Sequence, residues 1–242
     1  MDFQVTGGGW VSSAGFGRMS QARTLSFASG PPARFPAREI FNQRLARWGR
    51  YDDYTRCGLA AMALALRDAN LEADAKIRPI GIVSSSTLEC LETDLAYYRT
   101  TLEAGGSLAS PNLFSYTLPG IMLGEGAILF RLSGPTLCVG EENGRGMTAL
   151  ATALRLIAGG AAQTMLAGWT DCFAVEGSEP AAAMESSAPI QGAAFVVLDA
   201  RAPAGQGGGK TFSFETGPAG VEIRTPGGRK IESLFELFEM GL

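Results

Sequence analysis

The chain has 242 residues, 46% of them hydrophobic, and a net charge of −4 from interspersed acids and bases, which suits one domain with a sizeable core. It carries no basic stripe with interleaved aromatics, no apolar run near the ~18 residues of a membrane span and no charged-then-apolar leader. Nucleic acid and a membrane span are therefore not expected, a cytoplasmic location is, and the complete lack of histidine removes Ser-His-Asp and Cys-His catalysis, His-ligated zinc and any imidazole base.

Phe3-Gln4-Val5-Thr6 followed by Gly7-Gly8-Gly9-Trp10-Val11 reads as a first strand that kinks on its glycines. A dinucleotide fingerprint needs Gly-x-Gly-x-x-Gly opening a helix, whereas Gly7 and Gly9 run into Ser12 and a Ser/Gly-rich stretch. Residues 20–50, with Pro31, Pro32, Pro36 and six arginines, read as an irregular surface segment whose charges are solvated. Asp52-Asp53-Tyr54 opens a helix to about Asn70, its acids at the positive end of the dipole and Cys57, Ala61 and Leu64 on one face. Ile80–Ser84 is predicted as a buried strand. No Gly-Lys follows Ser84-Ser85-Ser86, so the serines are assigned to capping the next helix, Leu88–Ala104, rather than to a phosphate loop. Gly105-Gly106 ends that helix, and another runs from beyond Pro119 to Arg131.

Ser133-Gly134-Pro135 is a turn, Thr136–Val139 a short strand, and Gly140–Gly146 a glycine-rich turn through Asn143. Met147–Ala158 is so apolar that a helix buried nearly all round is expected. Gly159-Gly160 closes it, and Thr164–Ala167 begins the next strand. A strand turning sharply into a helix sets one side chain at the helix N-terminus, where free N–H groups and the dipole favour negative charge. Nucleophiles are commonly held in such a place, yet Asn143 is none, and the Gly-x-Ser-x-Gly elbow of hydrolases is absent. Residues 174–189 read as a surface excursion, Ala193–Leu198 as a strand and Gly205–Gly209 as a hinge. Thr211–Glu215 and Val221–Thr225 pair as a hairpin across Gly217-Pro218, and Ile231, Leu234, Phe235 and Phe238 share one face of a terminal helix. Cys57, Cys90, Cys138 and Cys172 form no Cys-x-x-Cys pair and read as buried small hydrophobes; no metal or cofactor is expected.

The stretch GPTLCVGEENGRGMTALATALRLI…MLAG resembles the nucleophile-elbow segment of the β-ketoacyl synthases, the condensing enzymes of the thiolase fold. With Gly134-Pro135 and Gly146 matched, the family's catalytic cysteine falls on Asn143. DDYTRCGLAAMALALRDANL and the Ser110–Pro119 segment resemble the same family, and Gln191-Gly192-Ala193 is a reduced form of its Gly-Glu-Gly-Ala phrase. The likeness covers roughly residues 1–200 of a single domain, with a divergent hairpin and helix over 201–242. It implies an α/β chain: half of a thiolase-type fold, a mixed β-sheet with a buried elbow helix and covering helices.

By the same resemblance, Leu113 and Thr117 fall on floor positions of the acyl tunnel, with Phe114 and Tyr116 as neighbours and Leu88 near the wall. The alternative is that these side chains fill the chain's own core. Thr136, Leu137, Cys138 and Val139 would pair antiparallel with the counterpart strand of a partner. The family's second half, which supplies two catalytic residues, usually histidines, finds no match, so apolar surface left open would need residues 210–242 or a partner to cover it. These features resemble a chain-length factor, in the short form that accompanies aryl-polyene-type synthases. The implied partners are a full-length ketosynthase, in a heterodimer, and an acyl carrier protein reached through that complex. Two other readings stay open: a malonyl decarboxylase or acyltransferase using Asn143 or a cysteine, and a homodimeric module that docks carrier protein.

Overall fold

A computed structural model describes residues 1–21, 25–26, 32–72, 76–141, 146–172, 191–200, 210–217 and 220–240. Asn143, the 174–189 excursion, the 205–209 hinge and Pro218 lie outside these residues. The chain opens with β1 (Asp2–Ser12) and β2 (Gly15–Arg18), then α1 (Ala37–Ile40), α2 (Asp53–Asp68) and β3 (Ile80–Ser86). Next come α3 (Leu91–Leu102), α4 (Pro111–Phe114), α5 (Gly120–Phe130), β4 (Thr136–Gly140), α6 (Met147–Ala158) and β5 (Thr164–Asp171). β6 (Gly192–Asp199), β7 (Lys210–Gly217), β8 (Gly220–Arg224) and α7 (Leu234–Met240) complete it. One mixed sheet runs in the order β4-β3-β5-β6-β1-β7-β8, with β2 also on β1. β4, β3 and β5 are parallel, and the other pairings are antiparallel.

Two apolar clusters flank the sheet. One joins it to α1, α2 and α5, the other, which takes in residues of β7 and β8, joins it to α6 and α7. β1 serves both through a bulge: its register to β6 shifts between Val5 and Gly7, so side-chain parity flips at Thr6. Phe3 and Val5 therefore point to the α6 side, while Gly7, Gly9 and Val11 turn toward α2. There the backbones meet closely: a Cβ on Gly7 would lie 2.4 Å from the Ala69 nitrogen, and one on Gly9 2.4 Å from the Ala61 oxygen. The predicted glycine kink is thus a bulge followed by a helix-docking surface.

The two long helices exchange the environments expected of them. α6 buries one face, Ala149, Leu150, Ala153, Leu154 and Ile157, but leaves Thr148, Ala151 and Thr152 half-exposed and Arg155 and Ala158 exposed. α2 is the helix enclosed nearly all round, from Tyr54 to Leu66 with Arg56 the exception, because sheet, α1 and α5 surround it. Its N-cap Asp52 accepts from the Thr55 amide at 2.9 Å, as the acid-rich start predicts.

Other boundaries differ for local reasons. β3 runs on through Ser86, and α3 starts at Leu91 rather than Leu88 because Glu89 has a left-handed φ of 54°. Ser86 Oγ does accept an amide, that of Glu89 at 2.7 Å, but it caps a turn before the helix. Within 20–50, Ile40 and Phe41 are buried, Phe41 and Phe35 pack edge-on against Trp48, and Arg47 pairs with Glu125 at 3.1 Å. That segment is therefore partly core. The expected hairpin is present as β7–β8, joined antiparallel. In α7 Leu237 is buried and Phe235 only partly so; Phe235 meets the Trp169 ring at 5.4 Å.

Candidate functional site

The C-terminal ends of β3, β4 and β5 converge where β4 leads toward α6. Asp171, closing β5, accepts from Ser86 Oγ (2.5 Å), the Thr87 and Leu88 amides (3.1 and 2.9 Å) and Trp169 Nε1 (2.7 Å). Burial pushes its carboxyl above the usual carboxylate range, against these hydrogen bonds, which favour the charge. Glu141, just past β4, is also buried; its amide donates to the Ser86 carbonyl (2.9 Å) and its carbonyl accepts from Thr87 Oγ1 (3.0 Å). Its carboxylate accepts from both the amide and the hydroxyl of Thr148, each at 3.1 Å, in the first turn of α6. Gly146 enters that helix at φ 73°, and a Cβ there would meet Leu234 of α7 at 2.8 Å.

The four cysteines, scattered in the sequence, gather around the start of α2. Cys57 hydrogen-bonds the Cys172 thiol, which that contact and burial push up well above its ordinary value. Both face a cavity of about 620 Å³, together with Trp48, Asp53, Arg56 and Glu92. A neighbouring space of about 220 Å³ is lined by Asp52, Tyr54, Cys90, Thr93, Leu113 and Cys172. Burial, reinforced by Asp94, pushes Cys90 up to about 12, and burial also raises Cys138, which lies beside the Tyr54 hydroxyl. Among the described residues no group of three or more Cys, Asp or Glu side chains could hold a metal ion. Nor is any helix among them long and apolar enough to cross a membrane.

Sequence-predicted site residues are distributed between these spaces, the core and the surface. Leu113 lines the smaller cavity, while half-buried Leu88 gives its amide to Asp171. Tyr116 is buried in the core against Tyr51, rings 6.0 Å apart. Phe114 is 61% exposed beside Tyr97, and half-buried Thr117 donates its hydroxyl to the Phe114 carbonyl at 2.9 Å. Tyr98, Leu102, Leu108 and Leu118 are exposed on and beside α3 and α4 as well, and residues 105–119 carry no charge.

β4 is the end strand of the sheet. Ile82 N–H bonds the Pro135 carbonyl (2.8 Å) and Glu141 N–H the Ser86 carbonyl (2.9 Å). This register turns the backbone groups of Thr136, Cys138 and Gly140 outward, where no described strand meets them, and leaves Leu137 37% exposed. Asp171 and Glu141 were missed by sequence reading. The available signal was an acid closing an otherwise apolar strand, as in both MLAGWTD and TLCVGE.

The family model for the beta-ketoacyl synthase N-terminal domain matches residues 31–187. Over 135 residues the chain is 27% identical to 3-oxoacyl-[acyl-carrier-protein] synthase 2 of Vibrio cholerae serotype O1, covering 55% of this chain and 32% of that protein. Among solved structures it is similar to the ishigamide ketosynthase/chain length factor, with a TM-score of 0.66, 22% identity and coverage of 85% of this chain and 64% of that one. It is also similar to a ketosynthase in complex with its chain length factor from Xenorhabdus doucetiae, at a TM-score of 0.56 and 16% identity, covering 83% and 74%. These likenesses establish the fold, a mixed sheet with helices matching half of the thiolase-type arrangement, and the chain spans about a third of its curated relative. With the family model matched over well more than half of its residues, this chain belongs to the beta-ketoacyl synthases, as an N-terminal domain of that family.

Proposed function

We propose that this chain is a non-catalytic chain-length factor: it pairs with a complete ketosynthase and shapes the tunnel into which the partner's acyl chain grows. The observation that carries the reading is the elbow sequence Glu141-Glu142-Asn143-Gly144-Arg145-Gly146, which holds no thiol or hydroxyl in any register. Condensation needs a nucleophile to hold the acyl group and donors to stabilise the enolate derived from malonyl thioester. No histidine is present to serve as such a donor. The cysteines are poor substitutes, since Cys90, Cys138 and Cys172 are all held as thiols by burial and their neighbours. This weighs against the decarboxylase and acyltransferase alternative.

The open edge at Thr136, Leu137, Cys138 and Val139 and the uncharged apolar surface from Leu108 to Leu118 support pairing with another subunit. Two structural relatives named as ketosynthase and chain length factor are consistent with that partner. A third similar structure is described as a type II PKS acyl-carrier protein in complex with its ketosynthase bound to the hexaketide, which suggests a polyketide- or polyene-like chain on a carrier protein. In this reading Leu88, Leu113, Phe114 and Thr117 face the tunnel end, and Tyr116 supports them from the core. Co-expression with the cognate ketosynthase is expected to give a 1:1 complex, and Thr117→Trp to shorten its products while condensation continues. Unchanged product length would remove the tunnel role, and a stable homodimer that ignores ketosynthases would favour the carrier-docking module.

A further inference from the structure

We propose that Cys57 and Cys172 form a dithiol site that oxidants of the peroxide class close to a disulfide, pinning the start of α2 to the end of β5. The proposal is independent of the function argued above. Cys57 lies in the second turn of α2, and Cys172 directly follows β5. Their thiols are hydrogen-bonded to each other, both residues are 3% exposed, and both face the cavity of about 620 Å³. Neither backbone has room to draw away. Asp171, the residue before Cys172, accepts from Ser86, Thr87, Leu88 and Trp169. On the other side, α2 is held between β1 at Gly7 and Gly9 and Met122 of α5 at Gly58, the neighbour of Cys57. Closing to the ~2.05 Å of a disulfide therefore asks for rotation of two side chains rather than for backbone movement.

The other two cysteines lack this arrangement. Cys90 Sγ lies 3.8 Å from an Asp94 carboxylate oxygen, and Cys138 lies beside the Tyr54 hydroxyl, so each is engaged by an oxygen rather than by a second thiol. Cys90 does line the smaller cavity together with Cys172, and Cys90–Cys172 is the competing pair. The larger cavity exceeds the size of a peroxide molecule, and its wall includes exposed Arg34 and Asp53, so it reaches the surface. One sulfur, as the thiolate, attacks a peroxide oxygen and becomes a sulfenic acid, with the other oxygen leaving as water. The second sulfur then displaces the sulfenic oxygen as a second water. Two thiols lose two hydrogens and two electrons, and one peroxide is reduced to two waters. The bond from Cys57 and burial hold Cys172 as the thiol, so the pair answers sustained exposure rather than a brief pulse. The cross-link closes a loop of more than a hundred residues, which favours the folded chain by restricting the unfolded one.

The test treats the purified natural chain, reduced and then freed of reductant, with hydrogen peroxide, followed by alkylation under denaturing conditions and peptide mapping. The expected result is two thiols left to alkylate, Cys90 and Cys138, and one cross-linked peptide joining Cys57 to Cys172. The melting temperature should rise by roughly 5 °C or more and return on adding dithiothreitol. Cys57→Ser and Cys172→Ser should each abolish the cross-link, and Cys90→Ser should leave it. Phenylarsine oxide, which bridges two neighbouring thiols with loss of one water, should add once to the reduced chain and block the cross-link. Four free thiols after peroxide, or a bond mapped to Cys90–Cys172 or between two molecules, overturns the proposal. So do oxygen adducts on Cys57 or Cys172 without a cross-link, and a cross-linked chain that melts no higher. Because the mapping is done on the natural chain, a variant that folds poorly leaves the decision intact. The proposed partnership with a ketosynthase is read separately, by co-expression, and stands or falls on that result alone.

Discussion

Asp171 and Glu141 tie the ends of three strands to the helix that follows them, each carboxylate accepting at least two hydrogen bonds while nearly excluded from water. For Asp171 burial dominates, so the folded chain holds this proton more tightly than the unfolded chain. The resulting stabilisation is fully present below the ordinary carboxyl value near ~4 and is lost as pH rises through the higher folded value. Urea unfolding of the natural chain and of Asp171→Asn should therefore show the difference between them shifting in favour of the natural chain on acidification from neutral pH toward ~4. A difference that stays constant or shifts the other way would contradict the buried-carboxyl account. Neither acid was legible in the sequence as a site, because the Asp171 partners Ser86, Thr87 and Leu88 come from a strand end more than eighty residues earlier. The cysteines mislead similarly: Cys57, Cys90 and Cys172 are buried and Cys138 half-buried, but their gathering around Tyr54 and Cys57 is a product of topology.

At the scale of elements, local pattern predicted most of what formed. β3, β4, the elbow helix, β5, β6 and the terminal hairpin stand where alternation, glycine turns and caps put them. What pattern could not supply is which helix is enclosed. α2 is rich in alanine and carries Thr55 and Asp68, yet sheet, α1 and α5 pack around it. α6 is more apolar by composition, but its outer face has no described neighbour covering Ala151 and Thr152. Composition measures what a helix can bury, and only tertiary neighbours decide what it does bury. β4 illustrates the same point, being a short strand whose outward backbone groups are met by no described strand. Leu137→Lys should leave the melting temperature of the isolated chain nearly unchanged, since the side chain is partly exposed and at the sheet edge. It should weaken the proposed complex with a ketosynthase at least tenfold by titration. Equal affinity would place the partner elsewhere.

For the molecule as a whole, two features pull in one direction. The sheet, with a second cluster built from α6, the β7–β8 hairpin and α7, is a self-consistent core: Leu234 and Leu237 of the divergent segment close over the elbow helix. Among the described residues, the β4 edge and the uncharged stretch through α4 are left open, and both suit another protein. Fold and family were legible from Gly134-Pro135, the glycine-rich elbow and the following helix; among the described residues, a Cβ on Gly134 would lie 2.4 Å from the Gly81 nitrogen, and Gly146 takes a φ of 73°. The central claim is that such a chain influences condensation without performing it. It is tested most directly by intact-mass analysis of the purified chain after incubation with malonyl- and acyl-carrier-protein thioesters, with released carbon dioxide measured in parallel. The account predicts an unmodified mass and no release from the chain alone, with both acylation and turnover appearing only on the ketosynthase when the two are combined; a covalent acyl adduct or malonyl turnover by the isolated chain would contradict it.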